Sequence, residues 1–168
     1  MTENTDMTRV GYGYDSHRFA EPESGRKLVL GGVEFPGEPG LKGHSDADVL
    51  IHAVIDALLG AAAFGDIGSH FPDTDEKWRG ADSAKLLESV VAELAAAGYT
   101  VGNVDATVIC EKPKLRPKVD AIRARLAAIL KVGVSQVSVK GKTNEKLDDV
   151  GAGLGIVAHA VCLLLPRG

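Results

Sequence analysis

Asp15 and His17 stand two residues apart in the segment GYGYDSH (11–17), and His44 and His52 are the first and last residues of the segment HSDADVLIH (44–52). Alternate residues of a strand share a face, so Asp15 and His17 can converge on one ion. His52 adds a third donor. One carboxylate and two imidazoles suit a catalytic Zn²⁺ with an open fourth position, whereas structural zinc sites more often close all four with cysteines. Mn²⁺ or Co²⁺ would accept the same donors. Asp15 and His17 taken alone also read as a pair that ends a strand by bonding backbone groups, and it is the second segment that favours a metal.

A second set of groups lies near the C-terminus, in Gly141-Lys-Thr-Asn-Glu-Lys146. It lacks the glycines-then-Lys-then-Ser/Thr order of a phosphate loop, which excludes an ATPase of that kind. It does place the Thr143 hydroxyl beside the Glu145 carboxylate. Such a carboxylate suits Mg²⁺ (or Mn²⁺) shared with substrate phosphates, although a polar turn ending a strand fits the same residues. Lys112, Lys114 and Arg116 around Pro113 read equally well as solvated charge.

Positioning these groups requires a sheet and several helices. Thr8–Tyr14 reads as a strand ending at Asp15 and His17, after a frayed tail over residues 1–7. The glycines of that strand allow a ligand or another backbone to come close. Leu28–Phe35 reads as a second strand and Gly37–Gly43 as a loop. A helix capped by Ser45 or Asp46 runs to about Ala63. On it Asp48, His52 and Asp56 follow i, i+4 spacing along one face, with Val49, Ala53, Leu58 and Leu59 toward the core. Phe64–Asp75 is a polar loop with Asp66, His70, Asp73 and Asp75. Asp82 caps a helix that Gly98 stops, its stripe Leu86, Leu87, Val90, Val91 and Leu94 being core. Tyr99–Cys110 is a strand, and a third helix with Pro117 in its first turn ends at Gly133. Val137–Lys142 is a strand, Thr143–Gly155 a glycine-rich connection, and Gly155–Leu165 a final strand. This order predicts a single-domain α/β sandwich over 8–168, with a mixed sheet and helices layered on one face.

The bulk properties narrow the function. A chain of 168 residues with net charge -4 offers no basic face for nucleic acid, and its few aromatics make no base-stacking platform. No apolar run approaches the roughly 18 residues of a membrane span, and the N-terminus lacks a secretory pattern. Cys110 and Cys162 fall in apolar stretches and read as buried thiols in a reducing cytoplasm.

Taken together, GYGYDSH, GHSDADVLIHAVIDALLGAAAFGDIGSHFPDTD, GYTVGNVDATVICEKPKL and VSVKGKTNEKL strongly resemble the 2-C-methyl-D-erythritol 2,4-cyclodiphosphate synthase family of the non-mevalonate isoprenoid pathway, from Arg9 to Leu165. The resemblance implies a homotrimer with active sites between subunits. It implies Asp15, His17 and His52 as zinc ligands. His44 and Ser45 then contact substrate phosphates, with His44 steadying the transition state. Asp56, Asp66, Ile67 and Gly68 form a floor under the methylerythritol, and Phe71 and Asp73 lie in a closing loop. Cys110, Glu111, Lys112, Pro113, Lys114, Leu115 and Arg116 make the cytidine pocket, joined by Lys142. Glu145 holds Mg²⁺ at the diphosphate, and Thr143 stabilises the transition state. The implied reaction closes a cyclic diphosphate and releases CMP. The segment after Leu147 departs from the family pattern: Ala152 and Leu154 stand where many members carry Arg and Glu on the trimer-axis channel, and Lys142 where they carry Thr. Two other readings compete, a zinc phosphohydrolase using the same triad on water and a non-catalytic nucleotide-binding or scaffold module.

Overall fold

The computed structural model describes residues 7–167. The expected tail over 1–7 therefore lies, apart from Met7, outside the described residues. The elements are β1 (Arg9–Arg18), β2 (Lys27–Leu30), β3 (Val33–Pro39), α1 (Val49–Ala62), α2 (Ile67–His70), α3 (Ser83–Ala96), β4 (Tyr99–Ile109), α4 (Val119–Leu130), β5 (Val137–Lys142), α5 (Asp148–Gly151) and β6 (Gly155–Pro166). A four-stranded sheet has the order β1-β6-β4-β5, and β2 and β3 form a separate hairpin. Only β4 and β5 run parallel; β6 is antiparallel to both of its neighbours. The sheet is thus mixed. α1, α3 and α4 pack against it on one face. The opposite face carries Val10, Tyr12, Tyr14 and Val161, between 44% and 68% exposed.

The glycines of β1 set the depth of the whole assembly. A Cβ added to Gly11 would land on the carbonyl oxygen of Ala57, and one added to Gly13 on that of Ala53. The close approach that these glycines permit is therefore made by a helix backbone, not by a ligand. The contacts run backwards along α1 as β1 runs forward, so Asp15, the next residue on the same face, arrives beside His52. Every residue of α1 is buried except Asp56 and Gly60. An all-round apolar helix of this kind belongs inside a protein, and α1 lies between the sheet and α3.

Several elements differ from the sequence expectation. β1 runs on through Asp15 and His17 to Arg18, so the pair lies within the strand. The single strand expected over Leu28–Phe35 is a hairpin, because Gly31 and Gly32 take left-handed φ angles of 62° and 73°. The 64–75 loop contains the short α2, and the connection after Thr143 contains α5. Helix α1 begins at Val49 under Asp48, not at Ser45 or Asp46. Asp48 takes no place in a polar row on the helix surface. It is completely buried, and its carboxylate accepts from Gly31 N (2.9 Å), Gly32 N (2.7 Å) and Ile51 N (3.1 Å). One side chain thus caps the helix and pins the hairpin turn to it.

Burial pushes the Asp48 carboxyl up from 3.8 to about 6 despite these backbone donors. The folded state therefore holds this proton more tightly than the unfolded chain. The stability it contributes is full below 3.8 and lost as pH rises through about 6. Melting curves at several pH values check this: the native chain loses more stability than Asp48→Asn across that window, and parallel curves would contradict it.

Candidate active site

Asp15 and His17 leave β1 on the face that α1 covers, and His52 comes from the first turn of α1. Their facing atoms nearly meet: Asp15 Oδ2 lies 2.9 Å from His17 Nε2 and 3.0 Å from His52 Nδ1, and the two ring nitrogens are 3.3 Å apart. Zinc bonds of about 2.0–2.1 Å in a tetrahedron require donors roughly 3.3 Å apart. The spacing and the donor types therefore fit a divalent metal.

The outer ring nitrogens fix which atoms face inward. His17 Nδ1 donates to Lys42 O at 2.6 Å, leaving Nε2 to present its lone pair. His52 Nε2 lies 2.9 Å from Ser83 Oγ and 3.3 Å from Ser45 Oγ, so Nδ1 faces Asp15. Arg26 holds the neighbouring chain, donating to Leu41 O (2.7 Å) and Ser45 O (2.5 Å).

Charge distribution agrees with a cation site. Burial works against ionising Asp15, but His17 and His52 outweigh it and bring its carboxyl down to about 2. Burial likewise opposes charging His17, yet the Asp15 carboxylate wins and raises it above 6.5. A proton on His17 thus occupies the place that a metal ion would take, and metal uptake must displace it. The prediction is that metal affinity falls as pH drops through the range where His17 protonates, which titration with Zn²⁺ at a series of pH values measures.

The triad opens on a cavity of about 370 Å³ that also brings together His44, Ser45, Ile67, Gly68, Phe71 and Asp73. Of the groups expected around a methylerythritol unit, Asp56 and Asp66 do not line it. Asp56 Oδ1 accepts from Ile67 N at 2.8 Å, and Asp66 caps α2 through Ser69 N at 2.8 Å. Both carboxylates therefore shape the loop that forms the floor. Trp78 and Leu86 also line it, as does the backbone at Gly43, and the Trp78 ring is edge-on to Phe71 at 5.0 Å between centroids. Sequence reasoning missed Trp78 and Leu86 as functional residues. Leu86 carried a core signature, and nothing in the local pattern marks Trp78.

A second cavity of about 720 Å³ lies at the other edge of the sheet, lined by Cys110, Glu111, Pro113, Lys114, Leu115, Arg116, Lys142 and Thr143. Lys112 turns instead to an adjoining hollow with Phe19 and Lys146. Burial pushes the Cys110 thiol up to about 11, so the residue supplies packing and not a thiolate. The Thr143 hydroxyl donates to Glu145 Oε1 at 3.0 Å. Glu111 Oε1 accepts from Asn144 N (3.0 Å) and Lys146 N (3.3 Å), and so steadies the loop carrying both.

The two cavities share no lining residue. Across the sheet, Asp15 pairs with Ala158, Ala158 with Val108, and Val108 with Gly141. Three interstrand steps at about 4.8 Å put roughly 14 Å of backbone between the metal triad and the strand leading to Thr143.

Over residues 8–165 the chain matches the YgbB family. The chain belongs to this family. A relative from Brachyspira hyodysenteriae, named 2-C-methyl-D-erythritol 2,4-cyclodiphosphate synthase, is 56% identical over 156 residues, covering 93% of this chain and 97% of that one. One of the same name from Trichlorobacter lovleyi is 55% identical over 159 residues, covering 95% and 99%. Among solved structures, a CDP complex of IspF from Plasmodium falciparum superposes with a TM-score of 0.84 at 34% identity, covering 97% of this chain and 99% of that one. The resemblance read from the sequence motifs is therefore shown, and the chain is an enzyme of this family. Among the described residues no helix is long and apolar enough to cross a membrane.

Proposed function

We propose that residues 8–168 act as one domain that converts 4-diphosphocytidyl-2-C-methyl-D-erythritol 2-phosphate to 2-C-methyl-D-erythritol 2,4-cyclodiphosphate and CMP. An oxygen of the substrate's own 2-phosphate forms a bond to the β-phosphorus. The bond from that phosphorus to the bridging oxygen breaks, and CMP leaves with the electron pair. The nucleophile is already anionic and the leaving group is a phosphate, so the residues need to move few protons. The principal barriers are repulsion between anions and folding the substrate back on itself.

The observation that carries this reading is the convergence of Asp15, His17 and His52 in the wall of a cavity of about 370 Å³. Divalent ions held by that triad (Zn²⁺, or Mn²⁺ or Co²⁺) and by Glu145 (Mg²⁺ or Mn²⁺) supply charge neutralisation and Lewis acidity to the phosphate oxygens. His44 and Ser45 orient the phosphates, while Ile67, Gly68, Phe71 and Asp73 hold the polyol and exclude water. The pocket from Cys110 to Arg116 with Lys142 takes cytidine, consistent with the CDP named in the solved relative. Thr143 donates to the diphosphate. Positioning of this kind is worth effective molarities of order 10⁵–10⁸ M, or roughly 7–11 kcal/mol, and dominates phosphoryl transfer generally.

The separation of the two cavities supports a site that draws the triad from one copy and the Thr143 loop from another, as in the homotrimer that the sequence resemblance implies. Closed cyclic assemblies complete sites in this way. The uncovered sheet face with Val10, Tyr12 and Tyr14 offers an apolar surface for that contact.

A mass-resolved assay with this substrate, with and without chelator, tests the proposal. Equal amounts of CMP and cyclic diphosphate, lost on chelation and restored by Zn²⁺ with Mg²⁺, are expected. An open-chain product would indicate a phosphohydrolase, and binding without turnover a nucleotide-binding module.

A further inference from the structure

We infer that Ser83, backed by Asp46, is a positioning residue that sets the tautomer and orientation of the metal ligand His52; this rests on the metal reading of the triad. The Asp46 carboxylate can only accept, and it takes Ser83 N on Oδ2 at 3.0 Å and the Ser83 hydroxyl on Oδ1 in a short contact. With its proton committed to Asp46, Ser83 Oγ can only accept from its other neighbour. That neighbour is His52 Nε2, 2.9 Å away. The His52 proton is thereby held on Nε2, and the lone pair of Nδ1 is turned toward Asp15 and His17.

Two observations separate this role from ordinary helix capping. Asp82 already caps α3, accepting from Ala84 N at 2.9 Å, so the Ser83 hydroxyl is not needed for that purpose. Ser83 is also completely buried and His52 nearly so, which leaves solvent no part in choosing the tautomer. Asp46 in turn is anchored through its own backbone N–H to Ala81 O at 3.0 Å, and His44 O accepts from Gly80 N at 2.8 Å. The chain segment that presents His44 and Ser45 to the cavity is therefore stitched to the start of α3. The hydroxyl of Ser83 carries that order on to the metal ligand. Groups that orient metal-bound histidines in this way typically govern affinity by about 10–100-fold.

The test compares full-length wild-type protein with Ser83→Ala, Ser83→Thr and Asp46→Asn. The Zn²⁺ dissociation constant is measured against a chromophoric chelator, and the visible absorption of the Co²⁺-loaded proteins reports ligand geometry. Ser83→Ala is expected to weaken Zn²⁺ binding about 10–100-fold and to alter the Co²⁺ spectrum, while Ser83→Thr, which keeps the hydroxyl, restores both. Asp46→Asn, which conserves volume but no longer forces the direction of the Ser83 proton, shifts both readouts in the same sense and decides the matter should Ser83→Ala not melt cooperatively. Wild-type affinity and an unchanged spectrum in folded Ser83→Ala, or in Asp46→Asn where that variant decides, would overturn the inference while leaving the metal site intact. A wild-type protein that takes up no Zn²⁺ would instead overturn the metal reading, and this inference with it.

Discussion

His52→Ala is expected to abolish stoichiometric metal uptake at the triad and to lower kcat/KM by about 10³-fold or more, equivalent to roughly 4 kcal/mol of transition-state stabilisation. The size follows from what remains. Asp15 and His17 alone give two donors, one short of the set a catalytic zinc ion holds. The substrate brings several negative charges together, and the local protein counter-charge is limited in a chain of net charge -4. Without the ion, the repulsion between attacking and attacked phosphates stands almost uncompensated. The fold should survive, since His52 is buried in the cavity wall outside the apolar core cluster, and its truncation removes polar contacts to Ser83 and Asp15. Elemental analysis, steady-state kinetics and a melting curve on the same preparation check the three parts. Wild-type turnover from metal-free His52→Ala would show that the triad is structural.

The triad was legible because its geometry is local twice over. Alternation along a strand places Asp15 and His17 together, and the two glycines that precede them on the same face leave room for a helix backbone to lie against β1. Only the identity of that helix is a long-range matter, and the nearby HSDAD segment supplied it. The partners of the triad were not legible for the opposite reason. Asp46 looks like a cap for the helix that follows it, yet its carboxylate goes to Ser83, thirty-seven residues on. Asp48 shares the i, i+4 spacing of His52 and Asp56, yet it lies beyond the helix end and closes over a hairpin turn. Short polar side chains next to helix starts have several backbone donors within reach, and tertiary packing chooses among them. The separation of the two cavities is likewise invisible along the chain, because it arises from the sheet order β1-β6-β4-β5. The strand that ends the chain inserts between the first strand and the β4–β5 pair.

That separation leads to the second large effect. If each site takes its triad from one copy and its Thr143–Glu145 loop from a neighbour, two inactive variants must repair one another. His52→Ala destroys the metal half of its own chain and leaves the loop native; Thr143→Ala does the reverse. In oligomers assembled at random from equal amounts, about one quarter of the sites pair a native triad with a native loop. Refolding or co-expressing the two together is therefore expected to restore roughly a quarter of native turnover per site, from parents that are each nearly inert. Mixing the assembled parents without exchange should restore nothing. Mass measurement of differently tagged subunits establishes that mixed oligomers have formed. Mixed oligomers that stay inert would place both halves within one chain and require the loop after β5 to close about 14 Å across the sheet. Four strands joined by a continuous hydrogen-bonded ladder, with β6 and β4 interposed between the two cavities, oppose such a closure. A neighbouring copy can supply the missing half without disturbing any of those pairings, so the geometry of one chain favours the shared site.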